Sequence, residues 1–372
     1  MSRSAGAPIH AVILAGGAGE RFWPASRRRH PKPFLQVVGG QSLLDATLSR
    51  ARRFAPAERT WVVCGHEHAG AVRRAARLPR GHVLVEPRRR NTAMAIAWAC
   101  QRIAAKEEGA VVAVLSADHH IPDERAFAAA IRRAARAARD AEVLVTLGVE
   151  PTRPETGYGY IELGAAADAA HPGLHRVRRF VEKPDAARAR RYERSGRHLW
   201  NAGVFVWRAA TFLEEVEACD PGLHRALAPL RRSSRLRKQV EAAYRRAPCV
   251  PVDVAVMERS RRVWTLPVSF RWSDVGTWAS LAEELGVGRR GRPGDGKASD
   301  DGNGVIAGEL LACAAHDNLV WGRPERLVAL LGVEGLAVVD AGDVILVTRL
   351  ECSPDVRTLV SELRERGRED LT

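Results

Sequence analysis

Leu14-Ala15-Gly16-Gly17-Ala18-Gly19-Glu20-Arg21-Phe22-Trp23-Pro24 leaves a short apolar run, Ala11 to Leu14, that reads as a buried strand. Gly16, Gly17 and Gly19 let the backbone turn tightly and come close to a ligand. A glycine-rich turn leaving a strand aims its N–H groups outward as a nest for anionic oxygens. Arg21 follows at once, and Lys32 stands between two prolines in Pro31-Lys32-Pro33. Together they suit a triphosphate; a tight turn with two solvated cations fits the same residues. Two familiar phosphate motifs are excluded. No G-x-x-x-x-G-K-[ST] is present, so there is no P-loop. Gly17 and Gly19 fit the first two positions of G-x-G-x-x-G, but position 22 is Phe, and Pro24 obstructs an immediate helix.

Outward from this turn, short apolar strands alternate with helical patterns. Ile9 to Leu14, Thr60 to Cys64, His82 to Val85, Val111 to Leu115 and Glu142 to Leu147 are strand-like. Ser42 to Phe54, Glu67 to Arg77, Thr92 to Glu107 and Glu124 to Arg139 carry helical periodicity. The alternation predicts a mostly parallel sheet flanked by helices, with ligands beyond the carboxyl ends of its strands. Strand-like pieces at Tyr158 to Leu163, His175 to Val181, Gly203 to Trp207 and Arg262 to Leu266 are expected to extend that sheet and close over its mouth. Gly286 to Asp301, rich in Gly, Arg and Asp, reads as a linker. Beyond it, short β-like pieces (Gly304 to Ala307, Asn318 to Trp321, Leu327 to Leu331, Leu336 to Val339, Val344 to Val347) predict a small β module without a clean repeat, capped by a helix from Pro354 to Arg366. The expected domains are therefore 1–286 and 287–372.

The 372 residues suffice for two domains, and a 46% hydrophobic fraction is ordinary for a packed protein. The net charge of +14 comes mostly from arginines that alternate with alanine on helix faces such as Ala128 to Arg139 and Arg231 to Arg237. No zinc-finger or RNA-binding signature accompanies them, so a site for phosphorylated substrates explains the charge better than nucleic acid does. Six scattered cysteines without a C-x-x-C pair predict reduced, mostly buried thiols in a cytoplasmic protein. No apolar run reaches the ~20 residues of a membrane span.

Asp118 ends a strand in Ser116-Ala117-Asp118-His119-His120, where a carboxylate can hold Mg²⁺ opposite a phosphate nest. Asp274, in Trp272-Ser273-Asp274-Val275-Gly276, offers a second carboxylate from a distant segment; each aspartate also reads as a helix N-cap. His119 and His120 lack a third ligand at metal spacing, which argues against zinc. Glu86 precedes a basic loop and the turn Asn91-Thr92: it can accept from the N–H groups of guanine, and the turn is either an anion-facing helix start or a simple cap. Glu182-Lys183-Pro184 supplies a hydroxyl acceptor beside a cation, Trp200-Asn201-Ala202-Gly203 an amide beside a small turn, and Gly157 and Gly159 two points of close approach.

Taken in order, these blocks resemble the nucleotide-sugar pyrophosphorylases, and closely the mannose-1-phosphate guanylyltransferases, over roughly residues 10 to 285. The resemblance rests on Leu14 to Pro24, His30-Pro31-Lys32-Pro33-Phe34-Leu35, Glu86-Pro87 with Arg90-Asn91-Thr92-Ala93, Ala117-Asp118-His119, Pro151 to Glu162, Phe180 to Pro184, Trp200 to Gly203 and Trp272 to Gly276. It departs at Pro33, Ser116 and Ala202, none of them a charged group the chemistry needs. The resemblance implies an α/β fold: a Rossmann-like, mixed but mostly parallel sheet nucleotidyltransferase domain with a small C-terminal left-handed β-helix-like domain, often in a homodimer. It implies GTP and a sugar 1-phosphate, in the first place mannose 1-phosphate, as substrates, with no nucleic-acid or membrane partner. Leu14, Gly16, Gly17 and Gly19 would line the nucleotide phosphates, Arg21 and Lys32 steady the α-phosphate and pyrophosphate, and Asp118 and Asp274 hold Mg²⁺. Glu86 with Asn91 and Thr92 would face the base; Gly159, Glu182 and Asn201 the sugar; Lys183 its phosphate. The isomerase domain fused to some relatives is expected to be absent. A guanylyltransferase for another sugar, such as a manno-heptose 1-phosphate, and a non-catalytic sensor of nucleotide sugars are the alternative readings.

Overall fold

The computed structural model describes residues 8–17, 19–37, 39–233, 237–288 and 301–372. Most of the linker expected at 286–301, and the centre of the arginine-rich stretch 231–237, lie outside the described residues. The chain divides into two interleaved compact units. One comprises Met1–Gly16, Thr47–Ala117 and Ile121–Trp272; the other comprises Gly17–Ala46, Asp118–His120 and Ser273–Thr372.

The first unit is built on a nine-stranded sheet. Its strands are β1 (Ile9–Ala15), β2 (Thr60–Gly65), β3 (Val83–Glu86), β4 (Val111–Ser116), β5 (Leu144–Val149), β6 (Tyr160–Ala166), β7 (His175–Val181), β8 (His198–Arg208) and β9 (Val263–Val268), in the order β3-β2-β1-β4-β8-β5-β9-β7-β6. The pairings make β7 and β8 run against the other seven, so the sheet is mixed but mostly parallel in direction. The carboxyl ends of β1, β3 and β4 deliver Gly16, Glu86 and Ser116 to one edge, the edge at which such sheets bind ligands. Helix Asn91–Ala104 is buried along most of its length, whereas Glu124–Asp140 buries an alanine-rich stripe and leaves Arg125, Arg132, Arg133 and Arg136 in water. Its solvated arginines bear out the reading of that charged face.

One expectation changes: Trp200 to Gly203 is strand, not turn. Backbone pairing carries β8 through these residues, and a bulge opposite Thr146 and Gly148, with Gly203 at φ 62°, absorbs the irregularity. A second correction concerns the thiols. All six cysteines are free, but only Cys64 and Cys100 are buried, while Cys249, Cys313 and Cys352 are exposed.

The second unit holds β10 (Gly304–Ala307), β11 (Glu309–Cys313), β12 (Leu319–Trp321), β13 (Leu327–Leu331), β14 (Leu336–Asp340) and β15 (Ile345–Arg349), followed by helix Val356–Glu365. β10, β12 and β14 pair in parallel, as do β11 and β13, which is the stacking of successive coils of a β-helix. The coils do share a repeated feature that the pattern-based reading passes over. Buried Asn318 stacks on buried Asn303: its backbone N–H and Nδ2 donate to Asn303 Oδ1 at 2.9 and 3.0 Å, and its own Oδ1 accepts from Leu336 N at 2.9 Å. Each coil thus satisfies the polar groups of the next. Phe22 and Trp23, from the glycine-rich stretch, belong to the core of this unit with Leu35, Val275, Trp278, Leu319 and Val339. Trp278 sits 4.8 Å from Phe22, ring to ring, and donates to Trp23 O.

Candidate active site

In the second unit, Gly19 starts a single 3₁₀ turn, Glu20–Phe22, at φ 64°. Here glycine is required twice: the backbone is left-handed, and a Cβ would overlap Lys32 Cβ and press on Ser26 Oγ. The loop is thereby seated directly on Lys32, which is only 6% exposed. Gly17 has open space around it, and Arg21 is half-buried in the same turn.

Asp118 and Asp274, far apart in sequence, are drawn together by a backbone bridge between His120 and Ser273, whose reciprocal N–H to carbonyl bonds measure 2.8 and 3.0 Å. Lys32 Nζ donates to Asp118 Oδ2 at 2.8 Å and to the Asp274 carbonyl oxygen at 2.7 Å. Burial would push the Asp118 carboxyl up; the Lys32 ammonium overrides it and holds the group below the usual carboxylate range. The segment bearing Asp274 is strained. Buried, β-branched Val275 lies at φ 44°, and a Cβ on Gly276 would meet Asp274 Oδ2 at 2.6 Å. Asp274 does not cap the following helix; Thr277 does, in a capping box with Ser280. No group of three His, Cys, Asp or Glu suited to a metal occurs among the described residues. Two carboxylates without a third protein ligand fit a hard divalent ion that keeps water and substrate phosphates in its shell, which is how Mg²⁺ is usually held.

In the first unit, Leu14 is half-buried near the end of β1, and Gly16 lies 3.4 Å, measured from a Cβ position, from Glu86 Oε2. Glu86 is 9% exposed; burial pushes its carboxyl up to about 7 against the opposing pull of Tyr244 and Arg89. Glu86 Oε1 and the Tyr244 hydroxyl are both buried and lie near each other without a hydrogen bond of good geometry among the described residues. An orphaned buried carboxylate oxygen costs stability unless a ligand donates to it. Asn91 sits at φ 59°, and its Oδ1 accepts from Thr92 N at 2.9 Å. Thr92 does not act as a cap: its hydroxyl accepts from Val252 N at 2.9 Å, and Ala93 N donates to Val250 O.

Pairing of β6 with β8 sets Gly159 beside Asn201, whose N–H donates to Gly159 O at 2.8 Å. A Cβ on Gly159 would meet Glu182 Oε2 at 2.6 Å and Asn201 Cβ at 3.3 Å, so glycine keeps this cradle open. Lys183, exposed and at φ 47°, pairs with Glu182 at 3.1 Å. The cluster also holds Asp253, bonded to Asn201 Nδ2 at 2.9 Å, with its carboxyl raised to about 7 by burial and by the Glu182 charge. Neither Tyr244 nor Asp253 emerges from motif reasoning; the available signal is a lone carboxylate in the apolar run Val252-Asp253-Val254-Ala255-Val256.

The model of the nucleotidyl transferase family matches residues 10–286, and that of the MannoseP isomerase/GMP-like beta-helix domain matches 308–363. The chain is 37% identical over 367 residues to the alginate biosynthesis protein AlgA of Pseudomonas aeruginosa, covering 96% of this chain and 73% of that protein. It is 35% identical over 372 residues to the mannose-1-phosphate guanylyltransferase RfbM of Salmonella typhimurium, covering 96% and 73%. A solved structure described as a mannose-1-phosphate geranyltransferase from Thermus thermophilus matches with TM-score 0.84 and 34% identity, covering 96% of this chain and 99% of that one. The chain belongs to the nucleotidyl transferase family.

Proposed function

We propose that this enzyme makes GDP-mannose and pyrophosphate from GTP and mannose 1-phosphate. The observation that carries this is the Lys32 ammonium held between Asp118 and Asp274 beneath the glycine-rich turn, in a chain whose relatives include a mannose-1-phosphate guanylyltransferase. A phosphate oxygen of the sugar phosphate forms a bond to the α-phosphorus of GTP as the α–β bridging oxygen departs with pyrophosphate. The nucleophile is already an anion, so no general base is needed; positioning and charge neutralisation carry the step. Gly16, Gly17 and Gly19 allow the triphosphate close to the main chain, and Arg21 and Lys32 neutralise its α-phosphate and leaving group. Glu86, ionised, accepts from guanine. Gly159, Glu182 and Asn201 hold the sugar, and Lys183 its phosphate. Mg²⁺ between Asp118 and Asp274 would neutralise further phosphate charge and align the reacting oxygens.

The same reading places the enzyme in the cytoplasm, which suits its six free cysteines, and makes it a homodimer, which suits the exposed Leu311, Leu327 and Leu331. Among the described residues, no helix is long and apolar enough to cross a membrane. Pyrophosphate release with GTP, ATP and UTP against mannose, glucose and manno-heptose 1-phosphates tests the proposal. GTP with mannose 1-phosphate is expected to be the fastest pair; preference for another nucleotide or sugar would replace it, and no release with any pair would favour a sensing role.

A further inference from the structure

Asn201 has little hydrogen-bonding capacity left for a ligand, and what remains has a defined direction. Its Oδ1 accepts from Gly203 N at 3.1 Å and from Thr146 Oγ1 at 3.0 Å, a hydroxyl that also reaches Val204 O at 3.4 Å. One Nδ2 hydrogen goes to Asp253 Oδ1 at 2.9 Å. A flipped amide would turn its NH2 toward the Gly203 N–H and its oxygen toward Asp253, so Gly203 and Asp253 together lock Asn201 with one N–H spare. Across the Gly159 cradle, Glu182 Oε2 offers an acceptor. A hydroxyl that accepts from Asn201 and donates to Glu182 matches this pair.

We propose that Asp253 is a positioning residue of the sugar subsite, fixing Asn201 as a donor across the cradle from the Glu182 acceptor, so that the cluster reads hydroxyls of the hexose ring. This rests on the guanylyl-transfer reading above. The charged groups around Asp253 are Glu182 and Lys183, and Glu258 stands next to Glu182, accepting from its backbone N–H at 2.8 Å. Burial and the Glu182 charge bring Asp253 to titrate near neutrality. Above that point a second negative charge faces the anionic sugar phosphate, and binding weakens.

The test is KM for mannose 1-phosphate, expressed as its dianion, at saturating GTP between pH 6.5 and 8.5. Wild-type KM is expected to rise about threefold or more over this range, and Asp253→Asn to flatten the rise by removing the titrating group while keeping an acceptor for Asn201. Asp253→Ala, which frees the Asn201 amide, is expected to raise this KM about tenfold while leaving KM for GTP unchanged. A flat wild-type profile, a rise that persists in Asp253→Asn, or an unchanged KM in Asp253→Ala would overturn the inference. Absence of any wild-type transfer to mannose 1-phosphate would instead overturn the function on which it rests.

Discussion

Asp118 in one unit, and Glu86 and Asp253 in the other, sit in opposite electrostatic surroundings. In the unit that carries the tail, Asp118 meets an ammonium at 2.8 Å and stays ionised throughout the neutral range. In the sheet unit, Glu86 is buried and Asp253 half-buried, each with too little positive charge beside it, and both rise to about 7. The first arrangement suits a fixed charge that must be present whatever binds. The second suits groups whose protonation can answer to a bound ligand, which in the function proposed above would be a base for Glu86 and a sugar for Asp253. In that proposed function, the charge for phosphate chemistry would be built in beforehand and recognition left conditional.

The contrast can be broken at either side. Withdrawing divalent metal with EDTA is expected to lower turnover by about a thousandfold or more, with recovery on adding Mg²⁺; measured pyrophosphate release decides it. Arg21→Ala should cost about a hundred- to a thousandfold in kcat, with a melting temperature close to wild type. Gly19→Ala forces a side chain into a left-handed turn against Lys32, and is expected to remove about 1–3 kcal/mol of stability together with much of the activity, both readable by denaturation and assay. On the recognition side the effect is smaller and follows pH. Glu86 must be ionised to accept from guanine, and its raised pKa means protonation begins as pH falls through about 7. KM for GTP should therefore climb below pH 7, and Glu86→Gln should narrow the preference for GTP over ATP; a pH-independent KM would sever Glu86 from the base.

Much of this is legible in the chain because the strands of the sheet are short apolar runs whose period and punctuation survive in sequence. β7 lies at the residues its pattern predicts, and β1 to β4 differ only at their ends. Long-range geometry is less legible. The pairing of Lys32 with Asp118 and of His120 with Ser273 joins segments that local pattern cannot relate. Asn201 reads as a turn residue because Gly203 punctuates its strand, and the bulge that accommodates this glycine depends on β5. β11 escapes the pattern because only Gly308 separates it from β10, and its place is set by pairing with β13. Phe22 and Trp23 read as part of a phosphate loop, whereas they also anchor that loop in the core of the tail unit.

In the proposed function, Asp118 and Asp274 act as one cation-holding unit, and a double-mutant cycle on pyrophosphate release tests this most directly. Asp118→Ala and Asp274→Ala should each abolish most turnover, and the double variant should be scarcely worse than either, because either loss dismantles the same site. Near-normal turnover in one single variant, or losses that simply multiply in the double, would contradict it.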